Sequence, residues 1–176
     1  MTARAQVNPA DAPTAGFLQS IVLAVVDFYD KIKPFLTDTT LPTVVSFQNH
    51  HREHAAALAA HAGASAPTVP NQALTLVLTA RLQGVADERA ALVVAFSVEH
   101  QVTETYAFTL NTLTTPDLVQ LVATILTVVS AQAGILGSSA GLVTPVLFPN
   151  GALVGATVGD GSDAKFGFDP ASFPAG

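Results

Sequence analysis

This 176-residue chain contains no cysteine and no tryptophan, and only one methionine. The missing thiols exclude a disulfide framework, a thiolate nucleophile and a zinc–thiolate centre, and they remove cysteine usage as a guide to redox compartment. Charge is scarce as well, at 11% of residues where about 25% is usual. Bases are scarcest, with seven Lys and Arg against thirteen Asp and Glu, and they form no cluster. Nucleic acids and anionic membrane surfaces are bound through clustered bases, so a net charge of −6 argues against both as partners. The first sixteen residues lack a continuous apolar run and do not form a secretory signal as written; a leader removed beforehand stays open, and the compartment with it.

What is present is mostly apolar. Hydrophobic residues make up 49% of a chain long enough for one domain with a substantial core. From Leu118 to Gly159 there is no charge at all. That length meets the criterion for a membrane span. Gln120, Thr124, Thr127, Ser130 and Gln132 interrupt it, however, and no Lys or Arg flanks it, so a central helix of a soluble bundle is the preferred reading.

Apolar periodicity predicts four long helices. The first runs from about Thr14 to Leu36, with Phe17, Ile21, Val25, Phe28 and Ile32 on one face and Pro34 in its last turn. The second opens near Pro42 and ends at Gly63. Asn71 is a candidate N-cap for a short apolar segment, Ala73 to Leu82, that reads equally as helix or strand. The third helix opens at Asp87-Glu88-Arg89 and continues to about Leu113. Thr114-Thr115-Pro116-Asp117 supplies a cap and a first-turn proline for the fourth, which runs to about Gly137. The short joint makes the last two an antiparallel hairpin, and the whole closes as a four-helix bundle with one longer crossover. Beyond Ser138 the chain is rich in Gly, Pro, Ser and Asp, with Leu147, Phe148, Phe166, Phe168 and Phe173 as anchors for a tail wrapped over the bundle, one or two short strands included.

Four of the five histidines, His50, His51, His54 and His61, fall in the second helix. At about 100° per residue they lie with Phe47 and Leu58 within roughly a third of its circumference. Helix three places Glu99 in the same kind of setting, on the stripe of Leu92, Phe96, Thr103, Tyr106 and Leu110. A buried carboxylate must be paired or protonated, and a histidine from helix two or a metal would relieve it. Tyr29 and Tyr106 are core aromatics whose hydroxyls need partners, with Glu99 and the histidines as candidates. His100 points away from Glu99 and is assigned to a helix boundary; Glu53 and Glu104 are assigned to solvated faces. Gly159-Asp160-Gly161-Ser162-Asp163 lacks the later ligands of a calcium loop and reads as a turn.

The helix order, the pattern Phe47-x-x-His50-His51-x-x-His54 and the spacing of Glu99 to Tyr106 resemble the bacterial ferritin-like domain family, in its single-domain branch with long Gly- and Pro-containing tails. The segment from Phe166 to Pro174 is similar in style. The resemblance spans roughly residues 14 to 174. It implies an all-α fold, a ferritin-like antiparallel four-helix bundle over 14–137, with a flexible segment at 1–13 and an extended tail at 138–176.

The resemblance also implies six metal-ligand positions, and three lack ligand chemistry. Tyr29 matches Tyr106, so the helix-one carboxylate falls at Val22, and the helix-four pair falls at Ser130 and Ala133. His51, His54 and Glu99 remain, with His50 and His61 at the margin of the stripe. A bridged pair of irons is therefore not expected. The expectation is a degenerate di-metal centre in a structural, binding or assembly module without redox turnover, with no cofactor. The alternative is a single Fe, Mn or Zn ion held by His51, His54 and Glu99, with oxidoreductase or metal-handling activity. In the decayed centre both His51 and His54 would serve as partners of Glu99. The unusual apolarity of helix four and the tail further predicts a homo-oligomer.

Overall fold

The computed structural model describes residues 8–143 and 167–175. Five helices form in this order: α1 Ala12–Ile32, α2 Leu41–Ala62, α3 Gln72–Arg81, α4 Glu88–Leu110 and α5 Pro116–Ser139. Pro13, Pro42 and Pro116 stand in the first turns of α1, α2 and α5, where the missing N–H costs no intrahelical bond. Pro34 converts the last turn of α1 to a 3₁₀ turn at Lys33–Phe35. The segment left open between helix and strand is the helix α3, capped as its sequence suggests: Asn71 Oδ1 accepts the Leu74 N–H at 3.0 Å. Asp87 caps α4 in the same way through Ala90 N–H. No strand occurs among the described residues.

Two antiparallel hairpins, α1 with α2 and α4 with α5, make up the bundle, and α3 lies in the crossover against α1. Their apolar faces merge into one core that includes Leu18, Ile21, Phe28, Leu58, Phe96 and Ile125. At each end a carboxylate from one hairpin binds the turn of the other. Asp11, before α1, accepts hydrogen bonds from the backbone N–H and hydroxyl groups of both Thr114 and Thr115. Glu88, opening α4, accepts from the Thr37 N–H and hydroxyl at 2.8 Å and from the Thr40 hydroxyl. These contacts set α1 and α4 antiparallel. They also correct two expectations: the ordered bundle starts at Asp11, which is buried, and the Thr115 hydroxyl serves Asp11 instead of capping α5.

The tail docks where expected in part. Phe168 is buried and Phe173 half-buried, their rings edge to face at 5.7 Å. The Phe168 N–H donates to Thr105 Oγ1 at 2.7 Å, and Asn71 Nδ2 holds the carbonyls of Phe173 and Pro174. Gly167 makes the approach possible, because at φ 72° a Cβ there would lie 2.5 Å from the Thr105 amide nitrogen. Gly16 has a similar use in α1: a Cβ would meet the Ser65 carbonyl oxygen at 2.5 Å, so glycine lets the 3₁₀ turn Gly63–Ser65 rest on the helix. The anchors at Leu147, Phe148 and Phe166, the turn at Asp160 and any strand within 144–166 lie outside the described residues.

Two outcomes follow from these contacts. Gly167→Ala is expected to cost about 1–2 kcal/mol through its left-handed backbone, and to expose the tail to limited proteolysis; unchanged melting and cleavage would contradict the docking. Burial raises the Asp11 pKa, but the four donors from Thr115 and Thr114 outweigh it and hold the carboxyl below its ordinary value. A depressed folded pKa contributes stability above the unfolded value, about 3.9, and that contribution is lost as pH falls through the folded pKa. The acid limb of a stability curve should therefore be shallower in Asp11→Asn than in the parent chain.

Candidate functional site

Glu99 is fully buried near the middle of α4. Its Oε1 accepts two hydrogen bonds, one from the Tyr29 hydroxyl of α1 and one from His51 Nε2 of α2 at 2.7 Å. Tyr29 and His51 are themselves fully buried and lie against each other, with ring centroids 5.6 Å apart. One carboxylate oxygen on one hairpin is thus held by two donors from the other. Burial, then the charge of Glu99 and its hydrogen bond, hold the Tyr29 pKa well above the ordinary phenol range. Burial and the same charge raise the Tyr106 pKa, so both hydroxyls stay protonated at physiological pH.

The remaining histidines divide by position. His54 lies one turn beyond His51, its ring edge-on at 5.7 Å, and makes no hydrogen bond to Glu99. That corrects the expectation that both histidines serve the carboxylate. Desolvation, then the nearby His51 and His50, lower the His54 pKa to about 4. His50 is half-buried, and its Nδ1 lies 2.9 Å from Gln132 Nε2 of α5. His61 is half-buried near the end of α2. His100 lies mid-helix, not at a boundary, because its ring stacks on Phe96 and stands 3.4 Å from Glu104 Oε1. Glu104 is not solvated as expected: it is half-buried and accepts the Gly167 N–H. Glu53 is exposed, as read from its position.

An approximate internal two-fold relates the halves. Asp11, Val22, Tyr29 and Thr37 stand at one constant separation from Glu88, Glu99, Tyr106 and Thr114. The end clamps are duplicated under it, but the central carboxylate is not. Val22, the counterpart of Glu99, is a fully buried hydrocarbon. Tyr106, the counterpart of Tyr29, has a hydroxyl with no partner among the described residues.

The positions matched in α5 also behave differently from expectation. Ser130 points outward, its hydroxyl bound to the Leu126 carbonyl at 2.8 Å, and Ala133 is buried without a polar atom. The polar side chain that α5 sends inward is Gln132, which the spacing argument passed over. Its signal was a lone amide in the inward row Val122, Ile125, Val129 and Leu136. Gln48 was missed likewise; it is fully buried, and its Nε2 donates to the Val26 carbonyl at 2.8 Å, tying α2 to α1.

The donor set does not fit a two-metal centre, since Val22, Ser130 and Ala133 supply no ligand. Among the described residues, no three His, Cys, Asp or Glu side chains stand in an arrangement that could hold a metal ion. Unused polar atoms do remain beside the triad: Glu99 Oε2, His51 Nδ1 and His54 Nδ1 are buried without a hydrogen-bond partner among the described residues.

Helix order, paired hairpins and an inward carboxylate–histidine pair define an all-α, ferritin-like bundle. A family model described as ferritin-like domain matches residues 11–141, and the chain belongs to that family. No curated protein matches the chain. No solved structure matches it either.

Substitutions separate the roles within the triad. His51→Ala removes one partner of a buried charge and is expected to cost about 3–5 kcal/mol, with Tyr29→Phe costing about 1–3 kcal/mol. Glu99→Gln keeps an acceptor oxygen and should cost less than His51→Ala, as should His54→Ala. Denaturant melts that reversed this order would contradict the network. The pH dependence comes from His54: a folded pKa depressed to about 4 gives stability that is complete above the unfolded value near 6.5 and is lost as pH falls toward 4. His54→Leu should flatten that stretch of the stability curve.

Proposed function

We propose that this chain is a ferritin-like bundle whose di-metal centre has degenerated, and that it acts as a structural, binding or assembly module without redox turnover. The observation that carries this reading is that one oxygen of Glu99 is taken up by the protein's own donors. Its Oε1 takes donors from Tyr29 and His51, where a metal-binding oxygen would keep its lone pairs for an ion. The absence of ligand chemistry at Val22, Ser130 and Ala133 supports it, because a bridged pair of metals needs carboxylates from both halves of the bundle.

A second reading, a mononuclear metal protein with oxidoreductase or metal-handling activity, is favoured by the unpartnered Glu99 Oε2 and His54 Nδ1. By chemistry, though not by their present arrangement, His51, His54 and Glu99 suit a single Fe, Mn or Zn ion, and His54 is in the neutral form that ligation requires. Elemental analysis separates the two readings. The chain is purified without chelator, incubated in turn with Fe(II), Mn(II) and Zn(II), and desalted. The degenerate-centre reading expects far less than one metal per chain, with no change in His54→Ala. Close to one metal per chain, abolished by His54→Ala, would overturn it.

A further inference from the structure

The crossover between the hairpins is held from one residue. α3 is ten residues long, shorter than the roughly 12–15 at which an isolated helix begins to persist in water, and it buries only Leu74 and Leu78. Leu76 and Val77 face outward, 73% and 38% exposed. At its C-terminal end Lys31 reaches Thr79 and Arg81 reaches Gln101, through side chains open to solvent in part or whole. At its N-terminal end stands Asn71, which is buried.

Asn71 joins three parts of the chain. Its N–H donates to the Ser20 carbonyl of α1 at 3.1 Å, its Oδ1 accepts the Leu74 N–H that caps α3, and its Nδ2 donates to the carbonyls of Phe173 and Pro174 at 3.1 and 3.0 Å. The acceptor and the donor belong to one planar amide. The orientation that caps α3 is therefore the orientation that holds the tail.

The tail meets this joint as a preformed turn. The Asp169 carbonyl accepts the Ser172 and Phe173 N–H groups at 3.0 and 2.9 Å, and Asp169 Oδ1 accepts the Ala171 N–H at 3.0 Å. Asp169 and Pro170 stand at the first two positions of the turn, where the carboxylate and the fixed φ favour it. The far end is fastened to α4 through Glu104 and Thr105, with Phe168 sharing a cavity wall with Phe17 of α1 and Phe108 of α4. A second cavity lies under the crossover, walled by Ser20, residues 66–73, Leu76 and Pro174. All of that wall except Ser20 belongs to the crossover, α3 and the tail, so the cavity exists only while the tail and the crossover are closed on α1.

We propose that residues 167–175 are a strap that holds the crossover, α3 included, closed on α1, with Asn71 as its catch, so that strap and α3 open as one unit and the cavity opens with them. Such a unit has a single local opening equilibrium, separate from unfolding of the bundle. The coupling is reciprocal: loosening either part loosens the other. It does not depend on the state of the Glu99 centre.

The test is hydrogen–deuterium exchange of the full chain, read by mass spectrometry over peptides covering 72–81 and 167–175. Phe168→Ala alters the α4 end of the strap, and Leu78→Ala alters the core face of α3; neither changes Asn71. Phe168→Ala is expected to speed exchange in α3 about tenfold or more, and Leu78→Ala to do the same in the strap, with α5 unchanged in both. Asn71→Asp keeps the capping oxygen but sets a second oxygen against the two tail carbonyls, so strap and α3 should both exchange faster. Exchange that rises only in the mutated element overturns the proposal, as does an Asn71→Asp chain that frees the strap and leaves α3 protected. A rise of equal size in α5 would make the opening global, and a parent chain with α3 unprotected would leave nothing held closed; either result overturns it too.

Discussion

Everything at the centre of this bundle is arranged around one buried carboxylate. An ionised Glu99 without partners would cost several kcal/mol in an apolar core, and α4 has no donor of its own placed to relieve it. The donors come from α1 and α2, through Tyr29 and His51. Apolar packing alone tolerates small slips between the hairpins, because dispersion and burial are not directional. Two hydrogen bonds converging on one oxygen do not. The carboxylate thus fixes the register in which the two halves of the core meet.

The ends repeat that logic in more accessible surroundings. Asp11 holds the Thr114–Thr115 turn, and Glu88 holds the Thr37–Thr40 turn. Each clamp joins the start of one hairpin to the bend of the other, so hairpin association is secured at both ends and the middle. Against this near-symmetry the difference at Val22 stands out. Where one half carries Glu99 with Tyr29, the other carries Val22 with an unpartnered Tyr106 hydroxyl. Only one half carries a central carboxylate, while both halves share the packing and the clamps. The proposed scaffold role rests on that asymmetry.

Much of this was legible in the chain. Helix positions followed from apolar spacing and from Pro42, Asn71, Asp87 and Pro116, whose effects on the backbone are local. Glu99 and His51 were identifiable because polar groups on an apolar stripe demand partners, and Tyr29 could be named as a candidate for the same reason. The errors share a cause. His54 and His51 are one turn apart on the same face, and only the position of α4 decides which reaches Glu99. Ser130 and Gln132 differ by about 200° around α5, and only its packing on α4 determines which turns inward. Glu104 looked surface-bound until the tail, more than sixty residues away in sequence, lay across it.

By itself the sequence determined the all-α class and, closely, the ends of the helices, because propensity and caps are properties of short segments. The tertiary structure alone decided that Tyr29 and His51 converge on Glu99, that His54 stands apart, and that Asn71 joins α1, α3 and the tail. Those outcomes depend on how separate helices are rotated and offset against one another. That freedom is settled by the whole core at once, and no local stretch of the chain encodes it.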